Sequence, residues 1–557
     1  MARTPLLSRF QQLYADYDLA EKTGRSIEEV QSARQKARLS RRDFLKAGGA
    51  AAGALAMSGP LTSVAARAST PRIGIIGAGI AGLNAALTLQ DKGIPSTVFE
   101  ASDRVGGRMH SQLSGTYWKN GQTSEWCGEL IDTNHKTIQN LATRFNLPLV
   151  DLIAAQPAGS EDTYYVHGHY YTWQQAQSDF GTTSSGQPSV AQTVKDHLHL
   201  APFPTLYNNF TSFGQYLDNL SGYDWIEKYV PGGHASDFGA LLDSAYNQEY
   251  GLDMTRQSSL NLLYLLAYMP PQPSVGAFDW YGVSDERFHI AGGNQRLPLA
   301  IANYVQTASP QCTVRTQWRM TAIKTNGDGS VTCTFSTPSG TLQQTFDAVI
   351  LTMTFAVLRG LDYSGASFDN LKKTAITQLG YGTNTKMNLQ FNSRFWNGTG
   401  AWPGHSNGNI YTDLPFEDAW EATRGVGGAT GIVVLFTGGS IGTQVKLPQP
   451  YMNTTDSSAA THYVQQYLSQ VETIWPGATA QWNGQATVST PWSDPNLLGS
   501  YACWTTGQYT TFSGYEGVRQ GNIHFAGEHC STNFQGYMEG GAQEGARAAR
   551  EIILDHL

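Results

Sequence analysis

The clearest hydrophobic pattern begins at residue 73. Ile73-Gly74-Ile75-Ile76 is a short uncharged run, which predicts a strand covered on both faces. A glycine-rich turn follows, then apolar positions at helical spacing that predict an amphipathic helix, then a second apolar strand ending in Glu100. Farther along, residues 347–352 and 522–526 predict two more buried strands, and residues 537–556 a final helix. Both strands read as returning to the first sheet. Residues 313–324 and 331–336 read as β-like runs, with Asn326-Gly327-Asp328-Gly329 as a turn between them. Alternation over 386–391 predicts a strand, and Gly431–Thr437 another. Residues 150–280 are rich in Tyr, Trp, Ser and Gly, and helical spacing such as that of 258–268 predicts a mostly helical insertion. The chain shows no internal repeat and no long low-complexity tract.

Composition narrows this picture. With 557 residues the chain is long enough for two or more domains. A net charge of −8 gives no reason to expect nucleic acid or an anionic membrane as partner. The five cysteines, Cys127, Cys312, Cys333, Cys503 and Cys530, form no metal-type cluster. Free buried thiols are expected, with a Cys312–Cys333 disulfide as the alternative. Residues 1–68 are set apart from the fold. Ser40-Arg41-Arg42-Asp43-Phe44-Leu45-Lys46 is a twin-arginine pair, followed by an Ala/Gly run and by Ala66-Arg67-Ala68, a small-x-small cleavage site near Ala68. These features predict a periplasmic or secreted protein whose export partner is the twin-arginine machinery, a route that carries folded proteins. No later segment has the ~20 apolar residues of a membrane span. The residues before Ser40 have no assigned role.

The glycines carry the first chemistry. Gly77 permits a tight strand-to-helix turn, Gly79 lets the backbone approach a pyrophosphate, and Gly82 lets helix and strand pack closely. The helix N-terminus would receive the phosphates. Glu100 stands near the ~20-residue offset expected of an acid that binds a ribose hydroxyl.

Beyond this point the chain resembles the flavin-containing amine oxidase family, which includes monoamine, polyamine and L-amino acid oxidases. Four motifs carry the resemblance: the glycine turn with Glu100; Arg104-Val105-Gly106-Gly107-Arg108; Lys386 within residues 382–396; and residues 525–549, Phe-Ala-Gly-Glu-His through Gly-Tyr-Met-Glu-Gly-Gly. It implies an α/β fold, in which an FAD-binding Rossmann-like domain of the GR2 type is interrupted by a mixed α+β substrate-binding domain. The expected division is 1–68 leader; 69–150, 284–356 and 491–557 FAD-binding; and 151–283 and 357–490 substrate-binding, the first part mostly helical and the second with a sheet. A homodimer is a candidate assembly.

The resemblance also implies roles. FAD would be the cofactor, held by Gly77, Gly79, Ala81, Gly82, Glu100 and Ala101, by Gly106, Gly107, Arg108, Gly128, Glu129 and Met320, and by Gly527, Glu528, Gly536, Tyr537 and Met538. Lys386 would hold a water against the flavin and assist reoxidation by O₂, because a cation there stabilises the anions formed from O₂. Tyr537 and Tyr501 would be the two aromatic walls flanking the substrate nitrogen. No metal is implied. The reaction would be oxidative deamination of an L-amino acid or primary amine by hydride transfer to the flavin, giving an imine, then ammonia, an aldehyde or keto acid, and H₂O₂. A flavin amine dehydrogenase passing electrons to a periplasmic carrier is the alternative.

Three departures qualify the resemblance. Ser500 stands where monoamine oxidases carry a flavin-linking Cys, and Cys503 is too close to Phe525-Ala526-Gly527, so non-covalent FAD is expected. The segment at Gly128–Ile131 holds Glu129 and Leu130 where venom-type amino acid oxidases carry a carboxylate-anchoring Arg. Arg108 or Arg287 is left to take any substrate carboxylate, and Glu129 could favour a second cationic group on the substrate. Thr354 replaces a usual Pro, a change expected to be structural only.

Overall fold

The computed structural model describes residues 71–556, apart from 114, 184–185, 268–277, 401 and 403. The twin-arginine pair and the Ala68 site lie outside the described residues. The strand Ile73–Ile76 sits at the centre of a five-stranded parallel sheet, flanked by Ala348–Leu351 and then Ile523–Phe525 on one side, and by Ser96–Phe99 and then Thr313–Arg315 on the other. The alternation of the strands separates two cores. Ile75, Val98 and Ile350 face the helices Ile80–Gln90, Arg296–Thr307 and Met538–His556. Ile76, Phe99, Val349 and Leu351 face the opposite side, where Phe99 stacks on Phe335 with ring centroids 4.5 Å apart.

Two expectations are corrected here. The helix Ile80–Gln90 is not amphipathic: only Thr88 escapes burial, because the other two helices cover its outer side. Asn84 of this helix donates to the Ala542 carbonyl at 2.7 Å. The run 313–324 is two strands in different sheets, Thr313–Arg315 and Arg319–Thr325, divided at Gln317, whose φ is +59°. Arg319–Thr325 joins Val331–Thr337, Gly340–Phe346 and Asp362–Gly365 in a four-stranded sheet. Within the stretch expected to be helical, Ser259–Leu263 forms a short helix.

The second large element is an eight-stranded sheet. Its strand Thr385–Phe391 pairs antiparallel on both edges with Gly431–Thr437 and Trp482–Ser489, and all of its residues are buried, so both faces are covered as well. Met387, Leu389 and Phe391 enter an apolar core. Lys386, Asn388 and Gln390 point the other way, donating to the carbonyls of Cys127, Glu125 and Lys119. The alternation read from sequence is therefore real, but its polar face meets the segment after the first βαβ unit rather than water. All five cysteines are free. Cys312 and Cys333 belong to different cores, on opposite sides of the parallel sheet, which excludes the alternative disulfide. No helix among the described residues is long and apolar enough to cross a membrane.

Glu417, beside this sheet, is 3% exposed and accepts from Asn247 Nδ2 (2.5 Å), Thr437 Oγ1 (2.8 Å) and the Gly438 amide (2.7 Å). Burial outweighs these neutral donors and pushes its carboxyl up to about 8, from an ordinary 4.5. Between those values the folded chain holds a proton that the unfolded chain has lost. The contribution to stability is thus complete below the unfolded value and disappears as pH rises through about 8. Glu417→Gln is expected to lose less of its melting temperature than the native protein when pH is raised from about 5 to about 8. Parallel melting-temperature curves for the two proteins would refute this.

Candidate functional site

A cavity of about 630 Å³ runs from the glycine turn, past the ends of the parallel strands, to the eight-stranded sheet. Its first wall is the turn itself. Gly77 has φ +111°, and a Cβ there would stand 2.3 Å from Thr352 Oγ1. A Cβ on Gly79 would project towards Gly107, whose Cα is 4.0 Å away, so two bare backbones face each other. The Gly106 amide donates to Ala78 O at 2.9 Å, which ties the second motif to the first. Glu100 accepts from the Ala78 amide and from the Ser102 amide and hydroxyl, each at 2.8 Å. The first turn of the helix Ile80–Gln90 has no side-chain cap, leaving its amides for an anion. This bare-backbone cradle with an acid beside it fits the pyrophosphate and ribose of a dinucleotide.

Nearly every residue expected at the cofactor lines this cavity: Ala81, Ala101, Arg108, Gly128, Glu129 and Met320, then Gly527, Glu528, Gly536 and Met538. Gly82 does not. A Cβ on it would meet Gly77 O at 1.9 Å, so its work is packing the helix against the turn, not contact with the cofactor. Arg108 donates to Glu528 Oε1 and to Ser500 O, both at 2.8 Å. Glu528 also accepts from the amides of Ala502 (3.2 Å) and Gly536 (2.9 Å), so it locks three segments together. Glu539 of the same C-terminal motif turns away and accepts from the amides of Thr137 and Ile138, both at 2.9 Å, capping the helix Lys136–Arg144.

The catalytic candidates converge. Lys386 is 3% exposed, forms an ion pair with Glu129 Oε2, and lies 5.3 Å from the Trp420 ring centroid. The second Glu129 oxygen accepts from Trp420 Nε1 at 3.0 Å. Tyr501 and Tyr537 both line the cavity. The Tyr501 hydroxyl donates to Glu249 O at 2.5 Å, and the Tyr537 ring packs edge-on against His135 with centroids 4.9 Å apart. Each ring is thus fixed by the protein before any ligand arrives.

The pairing with Lys386 corrects one expectation: Glu129 is neutralised by the chain and has no charge to spare for a substrate. Two further candidates fail. Arg287 forks onto Asp151 at 2.7 and 2.9 Å and does not line the cavity, and Arg108 is committed to Glu528. Cys503 is fully buried against Asn261 away from the cavity, whereas Ser500 lines it. Cys127 does line the cavity, but burial pushes its thiol up and away from the reactive thiolate. Thr354 has a structural role, since its hydroxyl donates to Leu497 O at 2.8 Å and accepts from the Val357 amide at 3.2 Å, capping the helix Phe355–Leu358. It also lines the cavity, so the expectation of a structural role only is corrected.

Sequence reasoning missed Glu249, Glu286 and Asp418, which also line the cavity. None sits in a motif, and three separate segments bring them in. The left-handed φ of +43° at Glu286 leaves no signature in the residue type.

Comparison with known proteins agrees with this geometry. A model of the TAT (twin-arginine translocation) pathway signal matches residues 38–58, which marks the chain for export across the membrane, to the periplasm or the exterior. A Bacillus subtilis (strain 168) protein, YobN, provisionally named an L-amino-acid oxidase, is 25% identical over 86% of this chain and 94% of its own length. The L-amino-acid oxidase of Pseudechis australis is 24% identical over 88% of each chain. Among solved structures, cyclohexylamine oxidase from Brevibacterium oxydans IH-35A shares the fold, with a TM-score of 0.69 at 18% identity, covering 87% of this chain and 99% of that one. A putrescine oxidase bound to putrescine does so at 0.65 and 16%, with the same coverage. The model of the flavin containing amine oxidoreductases matches residues 80–553, from the first helix to the last, and the chain belongs to that family of flavin-dependent oxidoreductases.

Proposed function

We propose that the chain is an FAD-dependent oxidase that deaminates a substrate at a CH–NH₂ group, with FAD held non-covalently. One observation carries this reading: the glycine cradle, Lys386 and the tyrosines Tyr501 and Tyr537 line the same buried cavity. Bound FAD would supply the two-electron acceptor for the α-C–H bond, with O₂ ending as H₂O₂ and the imine hydrolysing to ammonia and an aldehyde or keto acid. The protein does the rest. Gly77, Gly79, Gly106, Gly107 and Arg108 hold and orient the cofactor. Tyr501 and Tyr537 flank the neutral amine. Lys386 keeps a positive charge where O₂ is reduced. No side chain is asked to remove a proton from carbon. The absence of a reactive Cys from the cavity supports non-covalent binding, and the division into FAD-binding and substrate-binding segments given above forms part of this reading.

Purified protein is expected to be yellow, to release its flavin on acid precipitation, and to form H₂O₂ under air with at least one member of a panel of monoamines, diamines and L-amino acids. Dye reduction without peroxide would replace the oxidase by a dehydrogenase. A colourless protein that takes up no FAD would remove the proposal altogether.

A further inference from the structure

Three carboxylates that the reaction leaves idle meet on one side of the cavity. Glu249 comes from the end of the helix Asp237–Tyr250, Glu286 from the loop before the strand Phe288–Ile290, and Asp418 from the start of the strand Asp418–Glu421. All three line the cavity, so the exposure that Glu249 and Glu286 retain is towards it. Asp418 is 8% exposed. Among the described residues, no ion pair or side-chain donor reaches Asp418 or Glu286.

Burial, and then the charge of their neighbours, holds the carboxyls of Glu286 and Asp418 well above the usual range; burial brings Glu249 to about 8. Of the cations that line the cavity, Arg108 is paired with Glu528 and Lys386 with Glu129, while Arg104 and Arg319 donate to neutral oxygens, Gly107 O and Asn496 Oδ1. Arg424, buried nearby, donates to Asn409 and does not line the cavity.

Buried acids without a partner oppose folding. Here they face a cavity rather than protein atoms, so a cation arriving from outside can pair with them. The rings of Tyr281 and Trp420 line the same region and add faces that favour a cation.

We propose that Glu249, Glu286 and Asp418 bind a second cationic nitrogen, ammonium or guanidinium, at the far end of the substrate. The substrate is then a diamine or a basic L-amino acid, not a monoamine or a neutral amino acid. The oxidase reading enters only for the reacting end; the cation site stands on the three acids.

Two measurements test the site. The first compares kcat/KM for putrescine against butylamine, and for L-arginine against L-norleucine. One of these ratios is expected to reach ~10–100, the range of a hydrogen-bonded charge, and to fall by the same order in Asp418→Asn and in Glu286→Gln. The pair with the larger ratio identifies the source. The second needs no turnover: butylguanidinium, a cation without a primary amine, should raise the melting temperature of the native holoenzyme and not that of the Asp418→Asn/Glu286→Gln protein. Replacing unpaired buried carboxyls by amides of nearly the same shape should leave both variants folded, and the single Asp418→Asn protein serves if the double one is not. Ratios near one with no thermal shift would overturn the cation site. Peroxide from no substrate at all, alongside a thermal shift lost in the variants, would instead overturn the oxidase reading and keep the cation site.

Discussion

Lys386→Met is expected to slow reoxidation of the reduced enzyme by O₂ on the order of 10²–10³-fold, the range for removing one preorganised charge-stabilising group. Reduction by substrate should change far less, since in the function proposed above the amine would meet the aromatic walls rather than the lysine. The same substitution carries a second, separable effect. Lys386 is 3% exposed and Glu129 is its ion-pair partner, so deletion leaves a buried carboxylate whose remaining partner is Trp420. Breaking a buried pair from one side costs about 3–5 kcal/mol. In the Lys386→Met/Glu129→Gln protein the orphaned charge is gone while Trp420 Nε1 keeps an acceptor. That protein should recover most of the melting temperature and none of the oxygen reactivity. Stopped-flow mixing of anaerobically reduced enzyme with O₂ reads the rate from the return of flavin absorbance. Native reoxidation in the double variant would show that the lysine serves only as the counter-ion of Glu129.

Gly82→Ala is expected to yield protein with little or no flavin. The added Cβ would lie 1.9 Å from Gly77 O and 3.1 Å from Gly77 C, backbone atoms that cannot yield without moving the turn. Overpacking of this kind costs about 1–3 kcal/mol, and more when backbone must shift. The displacement reaches the cradle directly, because Gly77 is held by its amide to Phe99 O at 2.7 Å. Flavin content per chain, measured by absorbance, is the readout. Gly327→Ala is the control: a Cβ there meets nothing within 4 Å, and its flavin content should be native. Full flavin in the Gly82→Ala protein would contradict the packing role.

The elements that build the parallel sheet were readable because each is a short apolar run beside glycines of restricted use. Strands at Ile73–Ile76, Ala348–Leu351 and Ile523–Phe525 lie where their hydrophobicity puts them. Lys386 was readable because one charged residue on an otherwise packable strand has few places to go. What could not be read was pairing. Nothing in Glu129 announces a lysine 257 residues away, and nothing in Asp151 announces that it would take Arg287 out of the site. The acids Glu249, Glu286 and Asp418 were invisible for the same reason: their meaning lies in which segments the fold brings together, not in their neighbours in sequence.

The contact between Arg108 and Glu528 joins groups 420 residues apart, and the last strand of the parallel sheet in chain order, Ile523–Phe525, lies just before Glu528. Closure of so long a loop before its contacts are rewarded is slow folding territory. The cofactor cradle is therefore completed only after the chain has been made as far as Glu528, whereas residues 38–58, which match the export signal, are made long before it. Timing is built into the architecture: the address is made before the cargo becomes competent to hold flavin.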